Sequence, residues 1–137
     1  MTYLDMLHRQ LPIDEGSHSK PYRDTVGKLT IGVGRNLDDV GLRQNEIYYL
    51  LDNDIAAAED DARALIDTFD QLTEARKAVL VNMAFNLGRD RLMGFAQMLQ
   101  AVRNGRWEDA AAAMLDSKWA IQVGARATRL ADAMRAG

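Results

Sequence analysis

The sequence predicts an α+β fold that is mostly α, with a small N-terminal lobe carrying a β-hairpin and a helical C-terminal lobe joined to it by a long helix. Three observations predict it. Strand-favouring residues gather only between Tyr22 and Leu37, where Thr25, Val26, Thr30, Ile31 and Val33 surround Gly27. Apolar residues then recur at three- and four-residue steps from about Gln44 to Ile66. Beyond that, short apolar stretches alternate with Gly, Ser, Thr and Asn, the punctuation of a helical bundle. At 137 residues the chain is one domain, 1–137, with an N-terminal lobe over about 1–43, a spine helix over about 44–66 and a helical lobe over about 67–137.

Residues 2 to 10 place Tyr3, Leu4, Met6 and Leu7 on a short amphipathic helix. Pro12 lacks an N–H and biases Leu11 toward extended geometry. It either kinks this helix or opens a fresh turn holding Asp14 and Glu15, which Gly16 ends. The hairpin turns at Gly27, and Gly32 and Gly34 let other groups approach the backbone closely. The next helix carries Ile47, Leu50, Leu51, Ile55, Ala58, Ala62 and Leu65 on one face, with Asn45 as its expected N-cap. Roughly 23 residues long, it would run about 35 Å, more than a core of this size needs, which makes it a spine between lobes. Thr73 caps a helix that Gly88 stops. Phe95 to Arg103, Trp107 to Leu115, a turn capped by Ser117, and Ala125 to Met134 complete the bundle.

Composition narrows the chemistry. There is no cysteine, hence no disulfide, thiolate nucleophile or Cys-based metal site, and two histidines are too few for a His-rich one. No metal or cofactor is called for. No apolar run reaches the roughly 18–20 residues of a membrane span, and Asp5 interrupts an N-terminus that does not read as a secretory signal. The chain is therefore expected to be made in a cytoplasm. Ten acids and two bases lie between Asp38 and Asp70, and six bases and four acids from Arg103 onward, which is too mild a basic excess for nucleic-acid binding. Met6, Met83, Met93, Met98, Met114 and Met134 read as core filler, Trp107 and Trp119 as buried anchors, and His8 and His18 as exposed spectators.

Glu15, Asp24 and Thr30 carry the chemical signal. Acid-assisted hydrolysis of a sugar–sugar bond needs one carboxylic acid to protonate the leaving oxygen and one carboxylate to handle water. Glu15 closes an apolar helix, and a helix C-terminus is an unfavourable place for negative charge. Asp24, beside Arg23 on a polar hairpin, suits the carboxylate, and the Thr30 hydroxyl can orient a water.

The stretch Ile13-Asp14-Glu15-Gly16, Tyr22-Arg23-Asp24-Thr25-Val26-Gly27 and Leu29-Thr30-Ile31-Gly32-Val33-Gly34 resembles the active-site signature of the phage-type lysozymes, the muramidases used as endolysins. Ala78 to Gly88, Gly94-Phe95, Gly105 to Ala111, Ser117-Lys118-Trp119 and the helix of Arg126 and Arg129 resemble the helical lobe of the same family, in order and spacing. The likeness covers nearly the whole chain. It implies a two-lobe lysozyme-like fold with the glycan between the lobes, and inverting hydrolysis of the β-1,4 bond between N-acetylmuramic acid and N-acetylglucosamine. Glu15 falls on the general acid, Asp24 on the opposed carboxylate and Thr30 on the hydroxyl holding the water. Asn36, Phe85, Asn86, Gln122 and Arg126 fall on substrate-binding positions. The resemblance further implies a monomer that meets a peptidoglycan strand without stable membrane insertion, reaches the wall through a holin-like, membrane-permeabilising helper, and serves host cell lysis by a bacteriophage. A lytic transglycosylase, needing only the acid, and a non-catalytic peptidoglycan-binding relative are the alternatives. Against the family pattern, Arg9 to Pro12 looks like an insertion before the acid, and the connection from Asn36 to Gln44 is short. Arg35 stands where a His is usual and is expected to pair with Asp54.

Overall fold

Seven α-helices and a three-stranded antiparallel sheet account for most of residues Met1–Gly137, all of which the computed structural model describes. The fold is α+β and mostly helical. Contacts within the chain divide it into two compact units, Met1–Tyr49 and Leu50–Gly137.

The first unit begins with α1 (Tyr3–Glu15). Its start is fixed by a capping box: the Asp5 N–H donates to Thr2 Oγ1 at 3.2 Å, and the Thr2 N–H donates to Asp5 Oδ2 at 3.0 Å. The helix runs through Pro12 without starting afresh, so Glu15 is its last residue. Loss of one ladder bond at Pro12 is outweighed by the turns on either side. Gly16, at φ 80°, ends it. Then β1 (His18–Arg23), β2 (Leu29–Gly32) and β3 (Arg35–Asn36) form the sheet in that order. The predicted hairpin is thus extended at both ends. β1 starts at His18 and breaks register before Tyr22, where Pro21 has no N–H to give. A third strand of two residues pairs Thr30 with Asn36 and Ile31 with Arg35.

The chain then enters α2 (Gln44–Leu65). Its entrance is organised by Arg43 and Glu46, not Asn45. The Arg43 N–H donates to Glu46 Oε1 at 2.8 Å, and the Glu46 and Ile47 N–H groups donate to the Arg43 carbonyl at 3.0 Å. Arg35 pairs with Glu46 at 2.7 Å and donates to the Gly41 carbonyl at 3.1 Å. The expected partner, Asp54, lies eight residues farther along α2; the helix entrance presents Glu46 first. The Arg35 hydrogen bond, then the Arg43 N–H, hold the Glu46 carboxyl below its ordinary range. A depressed folded-state value adds stability above the unfolded value of about 4.3 and loses it as pH falls through the folded one. Thermal midpoints of wild type and Glu46→Gln should therefore differ near neutrality and converge in acid, as circular dichroism melts at a series of pH values will show.

The second unit holds every buried hydrophobic residue. A unit of fewer than about 50 residues has little interior to offer, and the first unit buries only one polar side chain, that of Thr30. In the second unit a short 3-10 turn (Phe69–Gln71) leads to α3 (Glu74–Met93), α4 (Ala96–Arg103), α5 (Trp107–Leu115), α6 (Lys118–Val123) and α7 (Ala125–Ala136). Thr73 and Ser117 cap α3 and α6 as predicted, accepting from the Arg76 and Ala120 N–H groups. Gly88, at φ 77° and ψ 168°, interrupts α3, and helical geometry resumes as far as Met93. Met83, Met98, Met114 and Met134 are fully buried among Leu80 and Leu92, whereas Met6 and Met93 are exposed. Trp119 is buried as expected, and Trp107 is half-buried beneath the Arg76 guanidinium, 3.9 Å from the ring centre. No helix is long and apolar enough to cross a membrane.

Candidate functional site

Glu15 occupies the C-terminal end of α1, exposed, with no hydrogen bond or ion pair to the rest of the protein. Its carboxyl lies over Gly34: a Cβ built there would stand 3.4 Å from Glu15 Oε2. The close approach expected at the two glycines is therefore found at Gly34 and not at Gly32, which has nothing within 4 Å. Beside Glu15, the His18 ring closes over Gly16 and stacks on Tyr22 at 4.2 Å between centres. His18 is exposed, as expected, but it is packed against the helix end.

Asp24 is built into the β1–β2 turn. Its Oδ1 accepts from the Val26 N–H at 3.0 Å and the Lys28 N–H at 2.8 Å, while its own N–H donates to the Lys28 carbonyl at 2.9 Å. An Asx-type closure of this kind fixes the carboxylate and leaves Oδ2 free of protein donors. Thr30 sits in the middle of β2, only 3% exposed. Its hydroxyl donates to the Lys28 carbonyl at 2.9 Å, leaving its lone pairs to accept. Lys28 thus joins the two through its backbone, its N–H on Asp24 and its C=O on Thr30. Glu15, Asp24 and Thr30 all belong to the first unit.

Asn36 also lies there, but its amide is engaged locally: Nδ2 donates to Asp39 Oδ2 at 3.0 Å, and Oδ1 accepts from the Asp39 N–H at 2.9 Å. Asp38 Oδ2 accepts from the Leu29 N–H at 2.8 Å, latching the same loop to β2. With Ile31, Gly34, Val40 and Leu42, Asn36 lines a hollow of about 500 Å³.

The other four candidates belong to the second unit. Phe85 and Arg126 line a hollow of about 590 Å³ floored by Leu51, Ile55 and Val81. Arg126 donates to Asn82 Oδ1 at 3.0 and 2.7 Å. Gln122 lines a separate hollow with Phe95 and Trp119. Asn86 is exposed, and its Oδ1 accepts from Trp119 Nε1 at 2.7 Å. Asn82, Asp38, Asp39 and Gly34 build these places and were not singled out as site residues. For Asn82 the signal was present, since it stands one helical turn before Asn86. No group of three acidic or histidine side chains converges as a metal site would require.

A phage lysozyme family model matches residues 13–134, from the end of α1 to α7. The chain belongs to the phage lysozyme family. Two similar proteins are named probable T4-type lysozyme 2 and probable T4-type lysozyme 1, both of Dictyostelium discoideum. The first is 24% identical, covering 96% of this chain and 94% of that protein. The second is 25% identical, covering 93% of this chain and 92% of that protein. The pre-baseplate central spike protein Gp5 of Enterobacteria phage T4 is 28% identical over 95% of this chain, which matches 27% of that protein's length. These alignments, of 156 to 160 residues, are longer than the 137-residue chain, so each relative carries segments that this member of the family lacks.

Proposed function

We propose that the protein is a muramidase that hydrolyses the β-1,4 bond between N-acetylmuramic acid and N-acetylglucosamine in peptidoglycan. The observation that carries the proposal is the state of three side chains in one unit of a phage lysozyme family member. Glu15 is unpaired at a helix end, and Asp24 is held by two N–H groups on Oδ1 with Oδ2 open. Thr30 has its proton committed to Lys28 and its lone pairs free.

In this reading Glu15 gives its proton to the glycosidic oxygen as the bond to the anomeric carbon breaks. A water donates one hydrogen to Asp24 Oδ2 and the other to Thr30 Oγ1, which leaves a lone pair for the anomeric carbon. Its oxygen forms the new C–O bond and Asp24 takes the released proton. Attack by a water on the face opposite the departing oxygen inverts the centre. Asn36, Phe85, Asn86, Gln122 and Arg126 are proposed as glycan contacts. Asn36 and Asn86 would serve through the backbone turn and the Trp119 ring that their bonds hold in place. The biological setting proposed is host cell lysis by a monomer reaching the wall with a holin-like helper.

Digestion of purified peptidoglycan followed by mass spectrometry tests the reading. Fragments with hydrated reducing ends are expected. Anhydro ends, one water lighter, would replace hydrolysis by transglycosylation, and absence of cleavage would leave a glycan-binding relative.

A further inference from the structure

We infer that Gly34 is a positioning residue for the acid, its bare Cα being the seat on which the Glu15 carboxyl rests. The inference rests on the hydrolase reading above, in which Glu15 supplies the proton.

Nothing polar in the protein fixes Glu15: it is exposed and has neither a hydrogen-bond partner nor an ion pair. Packing must then do so. A Cβ on Gly34 would lie 3.4 Å from Oε2, 3.6 Å from Cδ and 3.7 Å from Cγ, so the end of the side chain covers the space that any larger residue would occupy. On the other side of the helix end, a Cβ on Gly16 would come within 2.8 Å of His18 Nε2. The acid is thus set where two glycines let groups close in: the imidazole over the residue that follows it, and its own carboxyl over the β2–β3 turn.

Gly32 provides the internal comparison. It stands two residues earlier in the same turn with φ +67°, against +73° at Gly34, yet a Cβ there would meet nothing within 4 Å. Both positions need glycine for backbone reasons. Only Gly34 needs it for the acid as well. A general acid must sit within about 2.6–3.2 Å of the oxygen it protonates, and a misplacement of about 1 Å can cost roughly 10²-fold in rate. A methyl at Gly34 would touch Oε2 and crowd it from that seat.

The test compares Gly34→Ala with Gly32→Ala on soluble glycan strands, measuring kcat, KM and thermal midpoint. Equal backbone strain predicts similar midpoints. Gly34→Ala should lower kcat at least ~10-fold beyond the loss at Gly32→Ala, with KM changed less than about twofold, because binding does not use the acid's exact position. Asn, which tolerates left-handed φ better than other side chains, is placed at both positions as a second pair, so that an alanine variant that fails to fold does not end the test. Equal kcat losses at the two glycines, in whichever pair folds, would overturn the seat. An inactive wild type would instead overturn the hydrolase reading.

Discussion

Glu15→Gln is expected to lower the rate of clearing of permeabilised bacteria by roughly 10²–10⁴-fold, the usual contribution of a general acid, while leaving the melting curve unchanged. Gln has the shape of Glu and no proton to give. The structure makes the comparison clean, since the Glu15 side chain is exposed and accepts no hydrogen bond from the protein, so the fold loses nothing with its charge. Asp24 offers no such separation. Its Oδ1 closes the β1–β2 turn through the Val26 and Lys28 N–H groups, so a change there disturbs the turn and the chemistry together. Circular dichroism of both proteins, followed by turbidity decay on the same cells, reads the outcome. A folded, silent variant assigns the acid to Glu15; a folded variant that still clears cells moves the chemistry elsewhere.

Long periodic segments were the legible part of the fold. The apolar repeat predicted α2 to within a residue of its end, Leu65, and α5 at both ends, because many residues agree on a helical period and no single one decides it. Thr73 and Ser117 were legible as caps because a short oxygen before an apolar run has one economical use. Single residues with competing uses were not. Pro12 reads as a break, yet the turns on both sides hold α1 together through it. β3 is two residues long and has no pattern of its own; it exists because Ile31 and Thr30 offer it an edge. Arg35 had several acids within reach in sequence, and only the folded helix entrance presents Glu46 ahead of Asp54. In the site, the sequence identified residue types but not where their hydrogen bonds go. Asn36 is committed to Asp39, Asn86 to Trp119 and Arg126 to Asn82. Those partners lie three, 33 and 44 residues away, and only the nearest falls within a turn signal.

Arg76→Ala should produce the largest loss of stability. Arg76 is buried, its Nε donates to the Met134 carbonyl at 2.8 Å and its Nη2 to the Arg135 carbonyl at 2.9 Å. Those carbonyls belong to the last turn of α7, which has no helical N–H groups left to satisfy them. The guanidinium also lies flat enough on Trp107 to come within 3.9 Å of the ring centre. Removing it leaves carbonyl oxygens without their donor, deletes a stacked cation and opens a void beside the half-buried indole. Hydrogen bonds to a charged donor contribute about 1.5–3 kcal/mol each and are not additive, so a loss of about 3 kcal/mol is expected. For a chain of this size that is a fall of about 10 °C in thermal midpoint. Arg76→Lys should recover little of it, because a single ammonium cannot reach both carbonyls and lie on the ring. Calorimetric melts of the three proteins check the stability. Clearing assays well below the lowered midpoint should give near wild-type rates for both variants, since Arg76 is tied to α7 and Trp107 and takes no part in the chemistry proposed for Glu15, Asp24 and Thr30. A midpoint within 2–3 °C of wild type, about 1 kcal/mol, would mean that α7 is held by its buried face alone, by Ala127, Leu130, Ala131 and Met134.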